Sequence, residues 1–203
     1  GGGYDFKECT EEAFHGAVNA HMKYGATCIF PTLAPLPMTE IRKGVALCES
    51  AMAEKNSPVL GLQLEGPYLN PKMAGSLLTD ALKDPDPDEY KSLLESTNCI
   101  KRWDASPELP GALDFARYVR SKGLLAAVSH TEAEFEDIKA AYEAGFTHAA
   151  HFYNAMPGFH KRREYKYEGT VESVFLEDDM TVEVIADGRH LPSTILRLVY
   201  KLK

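Results

Sequence analysis

Short apolar runs alternate with helix-like segments along the whole chain, and this alternation strongly limits the folds that it can adopt. The apolar runs are rich in β-branched residues, and the segments between them carry apolar residues at helical spacing. Because strand–helix–strand repeats build parallel sheets, we expect an α/β protein. The strand-like runs are residues 27–30, 59–64, 100–103, 124–128, 147–152 and 181–186.

Three of the helix-like segments have sequence signals at their ends. A threonine precedes each of them, and a glycine follows two of them, as expected of helix caps. The predicted helices are one from Thr10 to Tyr24 with Gly25 after it, one capped by Thr39 over residues 40–55, and one over residues 135–144 with Thr131 and Glu134 as a capping box and Gly145 at its end.

Two parallel architectures compete, an open doubly wound sheet and a closed (β/α)8 barrel of the TIM type. The chain has no GxGxxG turn, which the open sheet favours after its first strand. Polar residues instead follow many successive strands, as in barrels, whose active sites lie at the carboxyl ends of the strands. A barrel has eight strands and about 250 residues. We therefore expect residues 1–203 to form a single partial barrel domain that lacks the first and last strands.

The composition argues against several partners. The formal net charge is −8 and no long basic stripe is present, so nucleic acid is not an expected partner. No apolar run reaches the length of roughly 18 residues that a membrane span needs, and no signal-peptide pattern opens the chain. The 4 cysteines form no CxxC pair. This pattern is typical of free thiols in a reducing compartment, and we expect a cytoplasmic protein.

Three residues at strand ends form a possible metal site. Glu65, His130 and His151 each close a strand-like run, so a barrel would bring them to one mouth. One carboxylate and two imidazoles suit Zn²⁺ or Fe²⁺ and leave positions open for water. An ion pair for the glutamate and hydrogen-bonded core positions for the histidines are the ordinary alternatives. Because His148 is three residues before His151, the two would point to opposite faces of a strand, and His151 is nearer the strand end.

Other polar residues follow the same strands. His190 would reach the mouth and polarise a carbonyl or hold a substrate hydroxyl, while Asp187 would orient a ligand or form a turn. Asn154 and Ala155 could offer backbone N–H groups to an anion. Arg163 could bind a phosphate with two hydrogen bonds or simply carry surface charge.

Several stretches together resemble one known family. The chain is similar to the N-acetylglucosamine-6-phosphate deacetylases of the amidohydrolase superfamily, and the similarity covers nearly all of it. The stretches that carry the resemblance are Leu60-Gly-Leu-Gln-Leu-Glu-Gly-Pro-Tyr-Leu-Asn70, Ser129-His-Thr131, residues 148–157, Ile185-Ala-Asp-Gly-Arg-His190, Pro31-Thr-Leu33 and Tyr142-Glu-Ala-Gly-Phe-Thr-His148.

The resemblance implies a metal-dependent barrel enzyme. Such an enzyme would remove the acetyl group from N-acetylglucosamine 6-phosphate and give glucosamine 6-phosphate and acetate. Glu65, His130 and His151 would hold the divalent metal, which could be zinc, iron, cobalt or manganese. His190 would contact the substrate beside the scissile amide and help to stabilise the oxyanion.

The resemblance also assigns the other end of the substrate. The loop of Asn154 and Ala155 would hold the phosphate through its backbone. Arg163 falls where the family places an arginine that reaches a phosphate, often across a dimer interface, so a homodimer is expected. Gln63 is counted with the substrate-binding residues, at a position where many members carry a histidine.

Two departures and one missing element leave alternatives open. Leu77 replaces a histidine that touches the sugar in many members, and Gln63 replaces another. The general base of the family, an aspartate after the eighth strand, would lie beyond Lys203, so residues 1–203 alone should be inactive. The alternatives are hydrolysis of another N-acyl amino sugar and a non-catalytic barrel that binds amino-sugar phosphates. An amidohydrolase with a carboxylated lysine is disfavoured, because no lysine lies at an apolar strand end.

Overall fold

A parallel sheet of six strands organises the chain in the computed structural model, which describes residues 2–203. The strand order in the sheet is β1-β2-β3-β4-β5-β8, and every neighbouring pair is parallel. This confirms the predicted parallel α/β class. The strands of the sheet are β1 (Thr32–Leu33), β2 (Leu62–Glu65), β3 (Ile100–Ala105), β4 (Leu125–Val128), β5 (Phe146–Ala149) and β8 (Thr181–Val182).

Helices connect the successive strands. Strand order in the sheet follows chain order without a reversal. A doubly wound sheet requires such a reversal, so the sheet winds in one direction only. The helices are α1 (Glu11–Lys23), α2 (Met38–Ala53), α3 (Pro87–Ser96), α4 (Ala112–Ser121), α5 (Phe135–Ala144), α6 (Thr170–Leu176) and α7 (Ser193–Leu202).

The ends of the predicted helices are partly confirmed. Thr10 caps α1 by accepting a hydrogen bond from the backbone N–H of Ala13, and Gly145 ends α5 with a left-handed φ of 114°. The cap at Thr39 is wrong, because α2 begins earlier, after Pro37, whose fixed φ suits a helix start.

The capping box of α5 lies three residues later in the chain than predicted. Glu134 is itself the N-cap residue, and its backbone N–H donates to the carboxylate of Asp137 at 3.1 Å. The Thr131 hydroxyl is engaged elsewhere, since it donates to Glu108 and accepts from the N–H of Ala133. A threonine whose hydroxyl has these partners is not available to cap the helix.

A buried aromatic cluster fixes helices α3 and α4 to the outer face of the sheet. Trp103 of β3 stacks on Tyr68 with ring centroids 5.5 Å apart, and Phe115 of α4 meets both rings edge-on. Tyr90 of α3 completes the cluster through Phe115. The indole N–H of Trp103 donates to the carbonyl of Gly66 at 2.9 Å. The cluster therefore anchors the chain immediately after Glu65.

Two features differ from the sequence prediction. The run at residues 27–30 contributes only an isolated bridge between Ile29 and Val59, and the strand lies later, in β1. An antiparallel hairpin of β6 (His160–Arg162) and β7 (Tyr165–Tyr167) forms where the sequence analysis predicted no strand. Among residues 2–203, no helix combines the length and apolar character that crossing a membrane requires.

Candidate metal centre at the strand ends

Three side chains converge where β2, β4 and β5 end. Glu65 is the last residue of β2, and His130 and His151 each follow their strand by two residues. The Nε2 atoms of both histidines lie 3.1 Å from the same oxygen, Oε1 of Glu65. The three possible ligand atoms all lie within 4.8 Å of one another. The structure thus brings together the residues that the sequence suggested as a metal site.

Both histidines share an unusual backbone conformation that directs their rings toward the glutamate. The φ angles of His130 and His151 are 46° and 29°, in the left-handed region that non-glycine residues rarely adopt. This conformation turns the chain sharply after the strand and directs each ring toward the glutamate. The buried hydroxyl of Ser106 donates to the carbonyl of His130 at 2.7 Å and stabilises the first of these turns.

Backbone carbonyls hold the other ring nitrogen of each histidine. The Nδ1 atom of His130 lies 2.8 Å from the carbonyl oxygen of Met73, and that of His151 lies 3.2 Å from the carbonyl oxygen of Asn154. A carbonyl only accepts, so each ring carries its proton on Nδ1 in the neutral form. The lone pair of Nε2 then faces Glu65, as in metal-binding histidines. This donor set fits a divalent cation.

Without a cation, Glu65 and His151 act as an ion pair. Burial raises the pKa of the Glu65 carboxyl, but hydrogen bonds from His130 and His151 outweigh it and lower the pKa to about 2. Burial lowers the pKa of His151, but the hydrogen bond and charge of Glu65 outweigh it and raise the pKa above its ordinary value. The glutamate is therefore ionised at neutral pH, which is the form that binds a metal.

A cavity of about 310 Å³ opens above these three residues. Its wall includes further residues that the sequence analysis singled out. These are Leu77, Asn154, Ala155 and His190.

His190 is oriented by Asp187. Its Nδ1 lies 2.9 Å from the Asp187 carboxylate, which also accepts the backbone N–H groups of Arg189 and His190. These contacts lower the pKa of Asp187 to about 2, with the two backbone N–H groups contributing most. Asp187 thus forms a turn and orients a side chain, combining the two alternatives considered for it.

The turn after His151 uses several of its own polar groups. The backbone N–H of Asn154 donates to the His151 carbonyl at 2.9 Å, and the side-chain amide donates to the same oxygen at 3.0 Å. The Asn154 N–H is therefore already engaged within the turn. Ala155 has a left-handed φ of 51°, and its carbonyl accepts the N–H of Thr131.

Two predicted substrate-binding residues lie away from this cavity. The Gln63 amide donates to Asp104 at 3.0 Å, and Gln63 lines a different cavity with Arg102 and Glu183. Arg163 lies between β6 and β7 at the exposed tip of their hairpin. The structure does not bring either residue to Glu65.

His148 does not share the cavity above Glu65 with His151. Its Nε2 lies 3.8 Å from the Glu183 carboxylate, and the same carboxylate accepts the backbone N–H of His151. His148 lines the other cavity with Gln63 and Arg102, so of the two histidines only His151 brings its ring to Glu65.

The sequence analysis missed a partly buried ionic group formed by Arg102, Asp104 and Glu183. Arg102 of β3 contacts Asp104 at 2.6 Å and Glu183 at 2.6 Å. Asp104 has no exposed side-chain surface. The available signal was the presence of three charged residues in one strand-like run, Lys101-Arg-Trp-Asp104, a composition that resembles a solvent-exposed strand.

Known proteins share both the sequence and the fold. N-acetylglucosamine-6-phosphate deacetylase of Vibrio furnissii is 29% identical over 197 residues, covering 94% of this chain and 48% of its own length. N-acetylgalactosamine-6-phosphate deacetylase of Escherichia coli O157:H7 is 25% identical over 202 residues, covering 98% and 52%. No family model matches the chain.

A solved structure is similar to this chain in both fold and sequence. A mutant N-acetyl-D-glucosamine-6-phosphate deacetylase from Mycobacterium smegmatis, in complex with N-acetyl-D-glucosamine-6-phosphate, superposes with a TM-score of 0.90 at 30% identity. The match covers 100% of this chain and 52% of that one. This chain therefore spans about half the length of the proteins that it matches.

Fold and site together define a parallel α/β protein with a candidate divalent-metal centre at the carboxyl ends of its strands. Its sequence matches are deacetylases of amino-sugar phosphates, and its fold matches one of them over the whole chain. In sequence and in fold, the chain is similar to the N-acetylglucosamine-6-phosphate deacetylases over nearly its whole length.

Proposed function

We propose that the protein containing this chain hydrolyses the acetamide of N-acetylglucosamine 6-phosphate and releases glucosamine 6-phosphate and acetate. The observation that carries this proposal is the convergence of Glu65, His130 and His151 beneath a cavity of about 310 Å³. The bound sugar phosphate in the similar Mycobacterium smegmatis structure supports the substrate.

We further propose that residues 1–203 are one part of a (β/α)8 barrel. The unbroken strand order supports this, since strands in a barrel follow one another around it in chain order. The first and last strands and the aspartate that serves as general base would belong to the remainder of the protein.

In this proposal Glu65, His130 and His151 hold the divalent ion through one carboxylate oxygen and two Nε2 atoms. When bound, such an ion lowers the pKa of its water and polarises an acyl oxygen. The sequence and geometry leave zinc, iron, cobalt and manganese as possible identities. The carbonyls of Met73 and Asn154 keep both rings in the tautomer that ligation needs.

His190 is the proposed catalytic residue beside the amide. The Asp187 carboxylate accepts a hydrogen bond from Nδ1–H of His190, which leaves Nε2 as the ring atom available to the substrate. Donation from Nε2 to the acyl oxygen, where negative charge develops, would lower the barrier to water attack. This role requires a ring that is protonated on both nitrogens.

The phosphate end is assigned to the turn after His151 and to an arginine. Because the Asn154 N–H is engaged, Ala155 is the better candidate for backbone contact with an anion. Arg163 lies at an exposed hairpin tip away from its own cavity, which supports its action on a second copy in a homodimer. Gln63 would act on the substrate only indirectly, through Asp104.

A second candidate is an epimeric or otherwise altered N-acyl amino sugar. The similarity to an N-acetylgalactosamine-6-phosphate deacetylase supports it, as does the apolar Leu77 in the cavity wall. The third alternative, a barrel that binds sugar phosphates without hydrolysis, predicts binding without acetate release.

The test measures acetate release by the full-length, metal-loaded protein from N-acetylglucosamine 6-phosphate and from N-acetylgalactosamine 6-phosphate. A Glu65→Ala variant should lose release from the true substrate, while His15→Ala, which changes an exposed histidine of α1, should retain it. Binding of either sugar phosphate with no release would favour the non-catalytic alternative. We also propose a cytoplasmic location, from the cysteine pattern of the sequence.

A further inference from the structure

We propose that Glu183, held by Arg102, is a positioning residue for His151 and so for metal affinity. This inference rests on the metal site of the proposed function and extends that site to two residues that support a ligand, Arg102 and Glu183. Glu183 directly follows β8, whereas His151 belongs to the turn after β5, so contact between them joins neighbouring strand ends.

Glu183 holds the turn at three points. Its backbone N–H donates to the Ala149 carbonyl at 3.1 Å, and its own carbonyl accepts the N–H of Phe152 at 2.7 Å. Between these two, its Oε1 accepts the backbone N–H of His151 at 3.1 Å. The side-chain contact falls on the one residue of the turn whose ring faces Glu65.

This contact matters because His151 has a left-handed φ of 29°. A non-glycine residue keeps such a conformation only where its surroundings enforce it. Without the Glu183 carboxylate, the N–H of His151 would lose its acceptor and the residue could relax. Its Nε2 would then move away from Oε1 of Glu65.

Arg102 fixes the Glu183 carboxylate. Its Nη1 donates to Oε2 at 2.6 Å and its Nη2 donates to Oε1 at 3.1 Å, a paired arrangement that sets the plane of the carboxylate. The same guanidinium donates to both oxygens of Asp104, which also accepts from Gln63. Arg102 is therefore itself held on the opposite side.

Arg102 thus links two carboxylates, since its guanidinium lies between those of Asp104 and Glu183. A change at Arg102 would therefore reach the turn of His151 through Glu183.

The test is titration of Co²⁺ into the metal-free, full-length protein, followed by the visible absorption of the bound ion. Glu183→Ala should bind Co²⁺ on the order of 10–100-fold more weakly, the usual effect of losing a partner of a metal ligand. Its absorption should also change, because His151 would no longer be held in place. Glu183→Gln keeps an acceptor oxygen and should recover to within about 10-fold of the parent.

Two further variants separate positioning from general destabilisation. Arg102→Lys keeps the charge but loses the paired geometry, and should weaken Co²⁺ binding by about 3–10-fold with the fold intact. Asp114→Ala removes an exposed aspartate–arginine pair on α4 and should leave affinity and absorption unchanged.

The outcomes are distinct. Failure of the parent protein to bind Co²⁺ would contradict the metal site of the proposed function. Binding by the parent, with unchanged affinity and absorption in Glu183→Ala, would overturn the positioning role alone. If Glu183→Ala does not fold, an unchanged affinity and spectrum in Arg102→Lys would overturn it instead.

Discussion

Glu65 and His151 are 86 positions apart in the chain, yet Oε1 of the glutamate lies 3.1 Å from Nε2 of the histidine. The contact exists because β2 and β5 are parallel members of one sheet, so both strands end on the same side. Each local sequence supplies one ligand, and the sheet brings the ligands together. A change in β2, β4 or β5 would therefore alter the geometry of the candidate metal centre.

Removing either histidine should abolish tight metal binding. His130→Ala and His151→Ala each delete one of three ligand atoms, and we expect a loss of at least about 100-fold in Co²⁺ affinity, the upper range for losing an outer-shell partner. Equilibrium dialysis of the full-length protein would measure this. His15→Ala should bind like the parent, and retained affinity in both ligand variants would place the metal elsewhere.

Without metal, the Glu65–His151 pair should stabilise the fold in a limited pH window. Glu65 has a folded pKa of about 2 against an ordinary 4.5, so its contribution is present above 4.5 and is lost as pH falls toward 2. His151 has a folded pKa raised above 6.5, so its contribution is present below 6.5 and is lost as pH rises through the raised value.

The contribution of the pair is therefore largest between 4.5 and 6.5. Urea unfolding of the metal-free protein across this range, beside a His151→Gln variant, would measure it. The difference in unfolding free energy between the two proteins should shrink on both sides of the window. A difference independent of pH would contradict the ion pair.

Phe115→Ala should strongly destabilise the protein. Phe115 is fully buried against Trp103, Tyr68 and Tyr90, and removing a buried phenylalanine ring costs about 3–5 kcal/mol. Trp103 is the only tryptophan, so its fluorescence follows unfolding directly. Tyr200→Ala, at a residue that is 89% exposed, should change stability by less than about 0.5 kcal/mol.

Two exposed threonines near helix starts should behave differently. Thr10 accepts the N–H of Ala13 at 3.2 Å, and its loss should cost about 0.5–2 kcal/mol of unfolding free energy. Thr39 lies inside α2 and makes no cap, so Thr39→Ala should be neutral or slightly stabilising. Chemical denaturation of both variants tests the assignment, and equal losses would contradict it.

His190→Ala should impair turnover without removing the metal. The residue lines the cavity, outside the group of Glu65, His130 and His151. If it stabilises the developing oxyanion, kcat should fall on the order of 10²–10³-fold while Co²⁺ affinity stays the same. Asp187→Asn weakens the support of the ring and should give a smaller loss. Unchanged kcat in His190→Ala would assign the residue no catalytic role.

The sequence predicted the sheet and the convergence at its edge because both follow from local patterns. Apolar runs identify strands, and a polar residue after such a run in a parallel sheet is directed to one edge. The roles of Glu65, His130 and His151 as ligands stay predictions, since their meeting in space is a geometric finding. The position of the Gln63 side chain could not be predicted from the sequence, because it depends on a hydrogen bond to the buried Asp104.

The ionic group of Arg102, Asp104 and Glu183 could not be predicted, and neither could the β6–β7 hairpin, for different reasons. Arg102 and Glu183 are 81 positions apart in the chain, and nothing in either local sequence marks them as partners. The β6–β7 hairpin is short and charged, so its residues lack the apolar alternation that identifies a strand. Local sequence also predicted caps at Thr39 and Thr131, and both predictions were wrong. The helix near Thr39 begins after Pro37, and the hydroxyl of Thr131 is hydrogen-bonded to Glu108 instead.

The left-handed backbone at His130 and His151 also restricts how the ion specificity of this centre could be redesigned. A softer site would ordinarily be made by exchanging imidazole for thiolate. At these two positions a cysteine would have to adopt a φ that histidine, asparagine and aspartate tolerate better than most residues. Harder, oxygen-based variants are therefore the easier direction for engineering, and copper- or cadmium-selective versions would need the two turns to be rebuilt first.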